Sequence, residues 1–128
     1  MERTRSIVGL IAGALMIVSA AAHCLLGWKE LKGALGSTQV PAELIQTLGL
    51  GWNFGGVAML AFGCIVVTLF AQRLRGKTVL LMPANVIGAT YAIFGAGALL
   101  VTRFDPFFLV FVVPGVMLLI ASVSRRAA

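Results

Sequence analysis

The sequence predicts an all-α polytopic membrane protein, a bundle of four transmembrane helices with a short extracytoplasmic interfacial helix. Three observations carry that prediction. The chain is 60% hydrophobic and 11% charged, where soluble domains run at about 45–50% apolar and about 25% charged. The apolar residues fall into four runs of the size that crosses a hydrocarbon core. Between the second and third runs stands Gln72-Arg73-Leu74-Arg75-Gly76-Lys77, a basic island with no acid beside it. At 128 residues the chain has room for one domain.

The first run, residues 7–26, follows a charged start containing Arg3 and Arg5. A basic start, an apolar core and Ala20-Ala21-Ala22 also resemble a secretory leader. A run of ~20 residues is long enough to span, however. His23 stands before Cys24 where a lipoprotein leader needs a small residue, so we read the first transmembrane helix here. Residues 27–51 are the only sizeable polar stretch and are expected to form an outer loop. Inside it, Pro41 followed by Glu43 marks a helix start. Leu44, Ile45 and Leu48 then give that short helix an apolar face for the interface.

The second span is expected over 52–70 and the third over 79–101, with Pro83 in the first turns, where proline is tolerated. Residues 102–106 make a tight turn in which Asp105 suits an N-cap and Pro106 the first helical position. The fourth span follows over 107–123, with Pro114-Gly115 as a kink near its centre. Ser124-Arg125-Arg126 ends the chain with charge.

Charge sets the orientation. The two termini and the central connector hold seven basic residues and one acid, Glu2. The other two connections hold Lys29, Lys32 and Arg103 against Glu30, Glu43 and Asp105. Basic short loops stay cytoplasmic, so both termini are expected inside and residues 27–51 outside. Trp28 and Trp52 then both fall at the outer interface, which tryptophan favours. The net charge of +6 does not imply nucleic acid, because the cations cluster at segment ends and not along one face. Membrane lipid is the expected partner.

Small residues dominate the candidate packing surfaces, since in lipid they let helix backbones approach. Gly9 and Gly13 form one GxxxG pair and Gly51 and Gly55 another. Ala84, Gly88, Ala92 and Ala96 make a stripe on the third span. Such stripes serve packing inside one bundle or the face of a homo-oligomer.

The candidate site is an outward-facing pocket. His23, the only histidine, is expected at the same depth as Asn53, and the two would form a polar floor rimmed by Trp28 and Trp52. A histidine merely bonded between helices is the plainer alternative. Cys24 beside His23 gives too few ligands for a zinc site, and Cys24 and Cys64 lie too far apart in depth to bridge. No Asp, Glu, Lys or Arg interrupts any span, so a proton relay or ion-coupled pump lacks its usual group. No CxxC, HExxH, GxSxG or phosphate-binding glycine loop is present. No catalytic residue, cofactor or metal is expected.

The layout of four spans, the glycine-rich opening Gly51-Trp52-Asn53-Phe54-Gly55-Gly56 and the basic turn with Arg73 and Arg75 resemble small bacterial membrane proteins of the DoxX-like type. That resemblance implies an inner-membrane protein acting as an accessory or partner subunit of a membrane redox system, and it assigns no residue a role. The expected function is therefore non-catalytic: a partner subunit, or a binder of an apolar ligand or lipid through His23, Trp28, Trp52 and Asn53. The alternative is a small oligomeric carrier for neutral or lipophilic compounds, with Pro83 and Pro114-Gly115 as its flexible points.

Overall fold

The computed structural model describes residues 1–123, and the charged ending Ser124-Arg125-Arg126 lies outside them. Among the described residues there is no strand. Helix α1 (Glu2–Ala22) runs through a single π-helical turn (His23–Gly27) into α2 (Trp28–Gly36), forming one rod of 35 residues. Helix α3 (Ala42–Leu74) has 33 residues, and α4 (Met82–Val101) has 20. A 3₁₀ turn (Pro106–Phe108) leads into α5 (Leu109–Ser122). The rod, α3 and α4 are each long and apolar enough to cross a membrane, and Pro106–Ser122 is a shorter apolar helix.

Helix α1 packs along both α3 and α5, α5 packs along α4, and α3 and α4 touch least. The bundle is therefore two hairpins joined through α1 and α5, with a thin seam between α3 and α4.

The α1–α3 contact follows a seven-residue repeat. On α3, Gly49, Gly56, Gly63 and Phe70 are buried in one series, and Met59 and Val66 in the series three residues on, which Trp52 and Arg73 extend. On α1, the buried Ser6, Gly9, Gly13, Met16 and Ala20 alternate steps of three and four. This is the spacing that keeps two helices in register along their length. Glycine sets the separation: a Cβ on Gly63 would lie 2.7 Å from Ile17 Cγ1 and 3.0 Å from the Gly13 carbonyl oxygen. Gly9 and Gly13 are filled by Phe70, Val66 and Val67, so this GxxxG pair packs within the bundle. Gly51, by contrast, faces open space.

That repeat explains why residues 27–51 are not the expected loop. Only 37–41 is non-helical, and the expected interfacial helix is the opening of α3, with Pro41 at its N-cap. Helices form where tertiary packing holds them. Here Trp28 lies on Gly49 and Trp52 on Gly27, where a Cβ would come within 2.6 and 2.9 Å of the two rings respectively. Each arm of the helical hairpin thus supplies one tryptophan and one glycine to the other. At 1.5 Å per residue the rod and α3 are about 50 Å long, against about 30 Å for α4. The first hairpin stands well beyond the second.

The α4–α5 contact is as close. Gly88 and Gly115 face one another, and a Cβ on Gly115 would lie 2.6 Å from the Ala92 nitrogen. The small stripe enters this contact through the buried Ala84 and Gly88 and leaves it at Ala96, which is exposed, with Gly95 packing on Val112 instead. Asp105 caps the second hairpin as expected, its Oδ1 accepting from the Phe107 N–H at 2.9 Å. Aromatic rings also meet between the hairpins, where Tyr91 packs on the half-buried Phe62 and Phe111.

At the connector end, arginines join the hairpins. Arg73 Nη1 donates to the Ala121 carbonyl at 3.1 Å and Arg5 Nη1 to the Val123 carbonyl at 2.8 Å. The last carbonyls of a helix lack partners within it, and positive charge is favoured there. Arg73 is only 12% exposed, with Glu2 at 3.6 Å from its Nη2.

Candidate functional site

The π-helical turn sits about 31 Å along the rod from Glu2, and Trp52 about 33 Å along α3 from Leu74, so the two meet at one level. A π-turn inserts a residue into the helix, and such turns recur at functional sites. Here the turn reorients the His23 carbonyl, which accepts from the Trp28 N–H five residues on and from the Trp52 indole Nε1–H at 2.8 Å. The histidine ring returns the contact, with Nε2 3.1 Å from the Trp52 carbonyl oxygen. The two rings stack at 4.2 Å, with 4° between their planes. Side chain and main chain of each residue thus grip the other.

This geometry assigns the histidine proton. A carbonyl oxygen only accepts, so Nε2 carries the hydrogen, and in the neutral ring Nδ1 keeps a lone pair. Nδ1 has no hydrogen-bond partner among the described residues. It can accept one hydrogen bond from a hydroxyl or N–H group.

His23 lines two hollows, and Trp52 one of them. The first, a cavity of about 240 Å³, opens between the end of α1 and the start of α5, lined by Val18, Ser19, His23, Met59, Phe107 and Phe111 among others. Its wall is apolar except at His23 and Ser19. The second, a shallower hollow of about 430 Å³, is lined by His23, Leu31, Thr47, Leu48 and Trp52 together with glycines of α3.

The four residues expected to share a pocket are placed differently. His23 and Trp52 come together. Trp28 borders a separate hollow with Lys32, Ile45 and Gln46. Asn53 donates through Nδ2 to the Gly49 carbonyl of its own helix at 2.7 Å and lines none of these hollows. Cys24 packs against Gly56, its thiol 4.0 Å from the Asn53 carbonyl. Among the described residues no three His, Cys, Asp or Glu side chains gather into a metal-binding group.

Of the ten lining residues the sequence reading named only His23; Met59, Phe107 and Phe111 are the largest it missed from outside the first helix. Two of them open the fourth helix, at a depth where they meet the end of the first, and matching spans by depth picks them out. Comparison with known proteins adds no relative: no family model, no curated protein and no solved structure matches the chain.

Proposed function

We propose that this chain is a four-span integral membrane protein of non-catalytic function that binds a small, largely apolar molecule beside His23. In this reading the arginine end is cytoplasmic and the His23–Trp52 level lies at the outer face, in a bacterial inner membrane. Three helices of spanning length and the seven-to-one basic excess at the connector and termini support that placement. The distance from Glu2 to His23 matches one hydrocarbon thickness of about 30 Å. The hairpin tip then projects from the outer face, where a partner subunit would meet it. This fits the DoxX-like layout and its accessory role.

The observation that carries the binding reading is the cavity of about 240 Å³, whose wall is apolar but for His23 and Ser19; neither the Ser19 hydroxyl nor His23 Nδ1 has a hydrogen-bond partner among the described residues. A cavity of about 150 Å³ takes benzene, and drug-sized pockets begin near 300 Å³. The space therefore suits one or two rings, and Nδ1 favours a ligand with a hydroxyl or N–H donor.

Trp52 is a built-in reporter, because it stacks on His23 and the chain has only one other tryptophan, Trp28. In a Trp28→Phe protein reconstituted in phosphatidylcholine, a brominated phenol should quench Trp52 saturably. His23→Ala in the same background should weaken that binding about fivefold, the value of one hydrogen bond. Quenching that rises linearly with probe and is unchanged by His23→Ala is partition into lipid, and sinks the proposal.

One observation favours the carrier as a second reading: His23 lines both hollows. Against it, Pro114 and Gly115, two of the three expected flexible points, are buried in the tight α4–α5 contact, and the third, Pro83, stands in the first turn of α4, where it breaks no helix.

A further inference from the structure

The opposite end of the molecule carries a cavity of another character. It encloses about 280 Å³ at the α3–α4 connector, lined by Glu2, Arg73, Gly76, Lys77, Thr78 and Leu81 together with Val79. An adjoining hollow of about 200 Å³ shares Glu2, Arg73 and Gly76 and adds Arg3, Ser6 and Leu74. Three cations, Arg3, Arg73 and Lys77, thus face one carboxylate, that of Glu2.

The carboxylate does not close the site. Its side chain is 88% exposed and 3.6 Å from Arg73 Nη2, a weak and displaceable pairing. Lys77 forms no ion pair among the described residues. Gly76, at φ 78°, turns the chain sharply, and the N–H groups of Thr78, Val79 and Leu81 beyond it find no acceptor among the described residues. A concave surface with surplus positive charge and spare N–H donors binds anions, phosphate above all.

Apolar side chains stand on the same walls. Leu74, Val79 and Leu81 flank the charged groups, directly above the α3–α4 seam where the bundle is least tightly packed. A free phosphate has no use for that flank, whereas a lipid with a phosphate head and two chains uses both parts. Basic pockets between helices on the cytoplasmic side hold anionic headgroups in this way. We propose that the connector cavity binds the phosphate headgroup of an anionic phospholipid of the inner leaflet, its chains lying along the α3–α4 seam. This rests on the membrane placement above but not on the His23 cavity.

The test begins with alkaline carbonate washing of native membranes, because a chain that washes out refutes the membrane placement itself. The retained protein is then relipidated with phosphatidylcholine containing a minor fraction of phosphatidylglycerol, released in mild detergent and weighed by native mass spectrometry. One phosphatidylglycerol per chain should be kept in preference to phosphatidylcholine. Lys77→Gln should lower its retention about tenfold, the loss expected of one charge-assisted hydrogen bond. Arg75→Gln removes the same charge two residues away, outside both hollows, and should leave retention within about twofold at physiological salt. Equal losses from the two variants, or no preference for phosphatidylglycerol, overturn the site. Displacement of the lipid by millimolar inorganic phosphate, with phosphate retained in its place, overturns the lipid assignment.

Discussion

Arg73 and Trp52 belong to the same seven-residue series on α3, 21 residues and about 31 Å apart, yet they close the bundle differently. Arg73 reaches past α1 to a carbonyl of α5, and Arg5 does the same from α1. The long side chains of one hairpin thereby complete the helix end of the other. At the far end, Trp52 and His23 satisfy each other entirely within the first hairpin. Among the described residues no side-chain hydrogen bond reaches α5 there, and a cavity lies between α1 and Phe107 and Phe111. The comparison separates two uses of polar groups on one seam. Spent on a neighbouring helix, they lock the hairpins together. Spent inside the hairpin, they brace the seam and leave a cavity beside it.

The comparison assumes that the seam is one continuous rod, and the largest effect tests that. Gly63 lies midway between the two ends, where even a Cβ meets backbone of α1 at 3.0–3.1 Å. Gly63→Val should cost about 3 kcal/mol, the upper range for overpacking a tight interface, read as a fall in the unfolding midpoint in mild detergent. Trp52 fluorescence should shift as well, since helices forced apart at Gly63 diverge toward both ends. An unchanged Trp52 spectrum would mean that the two ends pack independently.

Arg73→Met comes next. It keeps the aliphatic stem but leaves the Ala121 carbonyl without its donor, and a hydrogen bond to a charged group contributes about 2 kcal/mol. The unfolding midpoint should fall accordingly while phenol quenching of Trp52 stays as it was. His23→Ala should show the reverse pattern, with weakened quenching and a smaller loss of stability of about 1 kcal/mol. If both variants move both readouts equally, the ends do not divide stability from binding.

How much of this was legible follows from where each signal resides. Hydropathy located the four apolar segments, and proline and aspartate chemistry fixed the caps at Pro41 and Asp105. Hydropathy also drew a false boundary at residue 51, because the exposed Lys29, Glu30, Lys32 and Gln46 lower the average although the helices they stand on pack through Trp28 and Gly49. The signal that crosses that boundary is periodic: Gly49, Gly56 and Gly63 recur every seven residues and end on Phe70. The four-residue GxxxG search found Gly51 and Gly55 and passed over this series. Depth matching paired His23 with Asn53, one residue from Trp52, because depth fixes the level on α3 but not which side of the helix faces α1; Asn53 turns to its own helix and Trp52 takes the contact. The ring stacking, the π-turn and the freed Nδ1 depend on side-chain placement, which a single sequence does not encode locally. Met59, Phe107 and Phe111 come from three separate stretches of chain and are joined only by the fold.

The smallest expected effect sharpens the arginine end. Glu2 and Arg73 form an ion pair there, but a carboxylate 88% exposed and 3.6 Å from its partner gains little. Glu2→Gln should therefore change stability by less than about 0.5 kcal/mol, well below Arg73→Met. It should also raise phosphatidylglycerol retention, because it removes the one negative charge from the connector cavity. The two readouts separate what Arg73 does for α5 from what it offers a headgroup. A stability loss as large as that of Arg73→Met would show that the ion pair, and not the bond to the Ala121 carbonyl, holds the second hairpin in place. The contrast between a locked end and an open one would then rest on surface charge, and high salt should abolish it.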